Sequence, residues 1–322
     1  MREASLSRNE FLKGALAFAA LSPSAACAGS RAGAASYPVA RRSDERQREL
    51  ISKWDAAAEA VSPDDYKAYQ TDGDTRGFKV LEASELAFER VMRNARKTVV
   101  SGDVPAVWSV YNMGYIVKTR ESMFSIDLRH RRDVEFEPML DFALVTHNHG
   151  DHWRRDFFHA MDGAGKTVFS NFLDNAPFNA MKGGSARGVG TYKIRDVEIN
   201  ASLIDHNSEP WGIDFTMAFE VRIGDFVLYH TGDSGRGTVP KLNTVWGRPD
   251  LWLFFPGCGI ETPEAVAKVG AKRIVFGHLW ELGHRQGHRG RFDERLIHPR
   301  LAEARAAGCK DVSVAFWGDR IV

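Results

Sequence analysis

Seven residues, Thr146-His147-Asn148-His149-Gly150-Asp151-His152, constrain this chain more than any other stretch. Three histidines and an aspartate fall within six positions, directly after the apolar run Phe142-Ala143-Leu144-Val145. A short apolar run of that kind reads as a buried strand, so the polar cluster sits on the loop that leaves it. Neutral imidazoles and a carboxylate are the donors that suit zinc and its borderline neighbours. The surplus of donors in one short loop points to two ions rather than one, a pair able to activate water near neutral pH.

The pattern resembles the H-x-H-x-D-H signature of the metallo-β-lactamase superfamily. That family completes its site with three later ligands, and each has a counterpart here. A histidine follows a strand in Leu203-Ile204-Asp205-His206-Asn207, and an aspartate does so in Leu228-Tyr229-His230-Thr231-Gly232-Asp233-Ser234. A last histidine ends Arg273-Ile274-Val275-Phe276-Gly277-His278. The resemblance spans about two thirds of the chain, from residue 100 or so to 322. It implies one metal held by His147, His149 and His206, a second held by Asp151, His152 and His278, and Asp233 bridging. It also implies an α+β fold, a four-layer αββα sandwich with the ligands on strand-end loops along one edge. Two Zn2+ ions per chain are the first expectation, and Mn2+ or iron suits the same ligand types.

Periodicity along the chain supports a domain of mixed strands and helices over residues 99–322. Strands are expected at Val107–Val110, Tyr115–Thr119, Met123–Leu128, Phe142–Thr146, Thr167–Ser170 and Thr191–Ile194. More follow at Val197–Ile204, Thr216–Ile223, Phe226–His230, Leu251–Phe255, Arg273–Phe276 and Val312–Phe316. Helices are expected at Arg154–Asp162, Pro263–Val269 and Asp293–Ala307. Residues 28–98 read as a tether and a helical extension. One helix covers 42–61, with Leu50, Trp54, Ala57, Ala58 and Val61 on one face; Ser62-Pro63-Asp64-Asp65 is a stop and restart, and another helix runs over Ser84–Lys97.

Residues 1–27 read as an export signal. Arg2, Arg8 and Lys13 precede the apolar stretch Ala15–Leu21, which is too short to span a bilayer. Ser7–Lys13 is similar to a twin-arginine pattern with Asn9 in place of the second arginine, and Ser24-Ala25-Ala26-Cys27 resembles a lipoprotein cleavage box. The expectation is a periplasmic protein, or one anchored to a membrane through a lipidated Cys27. A net charge of +1 supplies no field for nucleic acid, and no basic, aromatic-interleaved patch is present. The expected partner is therefore a small molecule. The remaining cysteines, Cys258 and Cys309, make no disulfide framework, and Cys258 reads as a small buried hydrophobe.

Several other residues fall near the proposed ligands. His284 and His288 lie on the loop after His278, where His284 is the candidate proton donor to a leaving group and the loop arginines suit an anionic substrate. Glu281 is a candidate supporting carboxylate. Asn112 and Tyr115 are substrate-side candidates, and Asp127 is read as a hydrogen-bond acceptor beside the metal loop. His230 is read as a core residue; His130, His159 and His298 are read as structural or exposed. Trp153, Trp211 and Trp280 fit either core packing or an apolar pocket wall.

The leading functional expectation is a metal-dependent hydrolase with Asp151 and His284 in catalysis, acting on an ester, lactone or phosphodiester bond of a small, anionic substrate. Within the superfamily the resemblance is greatest to the branch of sugar-phosphate lactonases. Two other classes compete: an iron-dependent redox enzyme on the same fold, and a non-catalytic exported binding protein, whose mark would be a broken ligand set.

Overall fold

Why the ligands converge follows from how the strands are ordered. The computed structural model describes residues 38–172, 186–206 and 212–322. The expected export signal over residues 1–27, Cys27, the start of the expected tether and Trp211 lie outside the described residues. Among those described, no helix is long and apolar enough to cross a membrane.

One sheet holds β1 (Ala106–Ser109), β2 (Tyr115–Lys118), β3 (Met123–Ile126), β4 (Phe142–Leu144), β5 (Thr167–Phe169) and β6 (Ala186–Arg187), in that order. The second holds β7 (Gly190–Ile194), β8 (Val197–Ile204), β9 (Thr216–Ile223), β10 (Phe226–Asp233), β11 (Leu251–Phe255), β12 (Arg273–Phe276) and β13 (Asp311–Val314), again in chain order. Each sheet begins with antiparallel hairpins and ends with parallel pairings. Consequently β1, β3 and β4 run in one direction within the first sheet, and β8, β10, β11 and β12 do so within the second.

Alternation along the strands builds two separate apolar layers. Phe124, Ile126, Phe142 and Leu144 of the first sheet meet Phe219, Val221, Leu251, Leu253 and Val275 of the second in the inter-sheet core. Their neighbours Ala143, Trp252, Phe254, Ile274 and Phe276 point outward, under the helices. The helices are α1 (Asp44–Glu59), α2 (Pro63–Asp72), α3 (Lys79–Lys97), α4 (Arg155–Gly163), α5 (Thr262–Val269) and α6 (Glu294–Ala306). The αββα layering expected from the sequence is thus present.

The helical extension is more deeply integrated than its sequence suggested. Trp54 of α1 stacks on Trp280, ring centroids 5.4 Å apart, and meets Trp317 edge-on at 5.0 Å. Asp55 accepts hydrogen bonds from the Trp280 indole and the Glu294 amide. Trp280 is therefore core, not pocket wall, while Trp153 packs on Phe158 and Phe172. The stop and restart at Ser62 is real: Ser62 accepts from the Asp65 amide and Asp65 accepts from that of Ser62, a capping box with Pro63 in the first turn. By contrast α3 begins five residues before the expected Ser84, because its N-cap is Phe78 and no capping side chain marks the start. Strand β6 was not anticipated from sequence.

Because Trp54 ties α1 to the loop that carries His278, Trp54→Ala is expected to cost about 3–5 kcal/mol of folding stability. A urea titration followed by tryptophan fluorescence and circular dichroism checks it; an unchanged midpoint would show α1 to be a detachable appendage.

Candidate metal centre

All seven sequence-predicted ligands lie at or beyond the C-terminal ends of the co-directional strands. His147, His149, Asp151 and His152 follow β4, His206 follows β8, Asp233 ends β10 and His278 follows β12. Their donor atoms form two groups, His147–His149–His206 and Asp151–His152–Asp233–His278, each with all atoms within 4.8 Å of one another. His152 Nε2 is 3.2 Å from Asp233 Oδ1 and 3.4 Å from Asp151 Oδ2. His278 Nε2 is 3.1 Å from Asp151 Oδ2 and 3.3 Å from Asp233 Oδ2, and His206 Nε2 is 3.6 Å from the latter oxygen.

Local backbone choices make this possible. Asp127, at the end of β3 with φ +44°, accepts hydrogen bonds from the Thr146 amide (2.7 Å) and hydroxyl (2.8 Å), and lies 2.9 Å from His152 Nδ1. The acceptor role expected for Asp127 is therefore met, and it aims His152 Nε2 at the cluster. Gly232, φ +49°, lets the end of β10 bend against Thr146; a Cβ there would stand 2.8 Å from Thr146 Cβ. Thus one glycine brings the Asp233 turn against the loop that carries the histidines. His278 also has positive φ, +61°, and its ring stacks on Phe255 at 4.0 Å.

The donor set fits a pair of cations. Nε2 of His152, His206 and His278, and Oδ1 of Asp233, are buried with no hydrogen-bond partner. Buried polar atoms left unpaired are costly, and convergent ones are the mark of a bound ion. Burial, more than the neighbouring imidazoles, pushes His147 well below its usual range, which keeps it a neutral ligand. Burial also pulls His278 down, but Asp233 and Asp151 outweigh it and hold this imidazole up at about 10. Asp151 and Asp233 are themselves driven well below the carboxylate range, because His152 and His278 overcome the cost of burying them. Without metal, protons on imidazoles stand in for the cations.

Other expectations divide. Asn112 is buried and donates from Nδ2 to Asp151 Oδ2 at 3.1 Å, so it positions a ligand instead of facing substrate. Tyr115 is sealed in the inter-sheet core and is not at the pocket. His230 is core, accepting at Nδ1 from the Gly232 amide. Buried His130 stacks on Phe88 at 4.2 Å; His159 is exposed and His298 half-buried. Cys258 is only half-buried and its Sγ lies 3.7 Å from Asp233 Oδ2, so it is not the enclosed hydrophobe expected. Burial and Asp233 push its thiol well above the usual range.

A cleft of about 420 Å³ opens onto the cluster. One wall is α2, through Tyr66, Lys67 and Gln70; the other carries Arg129, Asp151 and His284. Arg129 donates from Nε to the Gly150 carbonyl and from Nη1 to Gln70, joining α2 to the histidine loop. His284 Nδ1 lies 2.6 Å from Glu281 Oε2, and that pairing raises its pKa against burial. His288 stacks on His284 at 4.2 Å. The role of α2 went unseen in the sequence, because nothing local in Tyr66-Lys67-Ala68-Tyr69-Gln70 marks it as part of a site.

No protein-family model and no curated protein matches the chain. Solved structures do. Two sheets of this strand order, flanked by helices and carrying metal donors at one edge, define the metallo-β-lactamase fold, and this chain has it. A possible metal-dependent hydrolase from Veillonella parvula superposes with a TM-score of 0.51 at 12% identity, over 68% of this chain and 98% of that one. Igni18, a metallo hydrolase from Ignicoccus hospitalis, gives 0.50 at 17% identity over 67% and 97%. The metallo-beta-lactamase fold protein YhfI from Bacillus subtilis gives 0.48 at 15% over 67% and 98%.

Since Asp127 orients His152 through Nδ1 and is not itself one of the grouped donors, Asp127→Asn is expected to weaken metal binding about 10–100-fold with the fold retained. Equilibrium dialysis with metal analysis of the washed protein measures it; wild-type affinity would show that the Asp127–His152 contact does not matter.

Proposed function

We propose that this protein is a dinuclear metal-dependent hydrolase of small anionic substrates. One observation carries the reading: seven donor side chains from two sheets converge with buried, unpartnered nitrogens beside a solvent-reachable cleft. His147, His149 and His206 would hold one cation, Asp151, His152 and His278 the other, with Asp233 shared. Zinc suits this imidazole-rich set best. A bound pair of divalent cations supplies an activated water and polarisation of the scissile bond.

The protein's own groups do the rest. Asn112 fixes the Asp151 carboxylate, and Asp127 fixes His152, so the donor atoms are held before substrate arrives. Lys67 and Arg129 line the cleft together with Asp64, Asp151 and Glu281; two bound cations would tip this balance toward a carboxylate- or phosphate-bearing substrate. His284, kept protonated to higher pH by Glu281, is placed to give a proton to the departing oxygen. That order of events suits an ester, a lactone or a phosphodiester. The intact ligand set argues against a binding protein that has lost catalysis.

Metal analysis of purified protein is expected to find two equivalents per chain, with Asp151→Ala abolishing hydrolysis across a panel of lactones, esters and phosphodiesters. Full turnover by that variant would overturn the assignment. His284→Ala is expected to lower kcat by roughly 100-fold or more for poor leaving groups. The sign of the pH effect follows from the pairing. Glu281 stabilises the imidazolium, so Glu281→Gln lowers the His284 pKa and moves the alkaline limb of kcat to lower pH. A limb that stays in place, or moves upward, would remove His284 from the proton-donor role.

A further inference from the structure

Outside the seven, a sulfur also reaches the centre. Cys258 lies on the loop after β11, between Gly257 and Gly259, and the Gly235–Gly259 backbone bridge ties this loop to the one that follows Asp233. Its sulfur is therefore held in place beside the cluster. Cys258 Sγ is 3.7 Å and His206 Nε2 is 3.6 Å from the same oxygen, Asp233 Oδ2, and the three donor atoms form a group within 4.8 Å. His206 is only 6% exposed, and its Nε2 has no hydrogen-bond partner. Ligand atoms of a tetrahedral zinc site, at about 2.3 Å for sulfur and about 2.0 Å for nitrogen or oxygen, stand roughly 3.3–3.7 Å from one another. The two measured separations fall in that range.

We propose that Cys258 is an additional metal ligand, its thiolate joining His206 and Asp233 around one cation of the centre. This rests on the two-cation reading above. The thiol gives its proton to solvent as the sulfur–metal bond forms, with no change of oxidation state. A sulfur donor among imidazoles and carboxylates biases that position toward thiophilic ions and away from oxygen-seeking ones. The other described cysteine, Cys309, packs against the carbonyl of Ala271, and Cys27 lies outside the described residues, so variants of both are needed to assign a sulfur signal to Cys258.

Cobalt(II) added to the metal-stripped full-length protein tests this through absorption, independently of turnover. Wild type, Cys27→Ser and Cys309→Ser are expected to bind two equivalents and to show a near-ultraviolet thiolate-to-cobalt charge-transfer band. Cys258→Ser and Cys258→Ala are expected to bind two equivalents without the band, and to lose preference for cadmium over manganese by about tenfold or more. Two bound cobalt ions with no sulfur band in wild type, or a band that survives in both Cys258 variants, would overturn the role of Cys258 alone. A wild-type protein that takes up no cobalt would overturn the two-cation reading and this inference with it.

Discussion

Three carboxylates, those of Asp127, Asp151 and Asp233, are gathered at one edge of the two sheets, within about an imidazole's width of His152. Taking that much negative charge out of water costs several kcal/mol per ion unless positive charge comes with it. Among the described residues, no lysine or arginine pairs with Asp151 or Asp233. The carboxylates hold the imidazoles of His152 and His278 above their usual range despite burial. Divalent cations bound there would neutralise the carboxylates and satisfy the unpartnered nitrogens at the same time. The site is thus an electrostatic problem built into the fold, and metal is its solution.

The strand order is what makes the problem local. Hairpins at one side of each sheet and parallel pairings at the other send β1, β3, β4, β8, β10, β11 and β12 toward the same edge. Asn112, Asp127, the histidine loop, His206, Asp233, Cys258 and His278 all follow those strand ends. The inter-sheet core of Phe124, Phe142, Phe219 and Leu253 keeps the edges in register. The loops can then be polar and irregular while their ends are fixed, as a rigid scaffold under a catalytic rim requires.

How much of this could be read from the residues depends on the range of the signal. The histidine cluster is a local pattern, and the apolar run before it dates the loop to the end of a strand. Val197–Ile204, Thr216–Ile223, Leu251–Phe255 and Arg273–Phe276 were legible to the residue because alternation or continuous apolarity is bounded by turn residues. The start of α3 was not, since Phe78 carries no capping oxygen. Tyr115 and Asn112 are close in sequence and differ in fate: Tyr115 lies in β2 and faces the inter-sheet core, whereas Asn112 occupies a left-handed turn that aims it at Asp151. Periodicity carries no information about such a turn. Cys258 looked like core because its neighbours Phe254 and Phe255 are core; only the bend after β11 brings its sulfur to Asp233.

The helical segment before residue 99 changes the reading of the cleft most. Its burial against Trp280 and Trp317 makes α1 part of the outer helical layer, and the capped turn at Ser62 then projects α2 across the mouth of the metal site. Arg129 bonds to both Gly150 and Gln70, so the histidine loop and α2 are joined through one guanidinium. The metallo-β-lactamase fold supplies the catalytic edge, whereas this segment supplies one wall of the cleft that substrate must enter. On the proposed function, Tyr66, Lys67 and Gln70 would take part in substrate selection beside the loops of the sandwich, and a chain with the same seven ligands but a different α2 would present a different cleft.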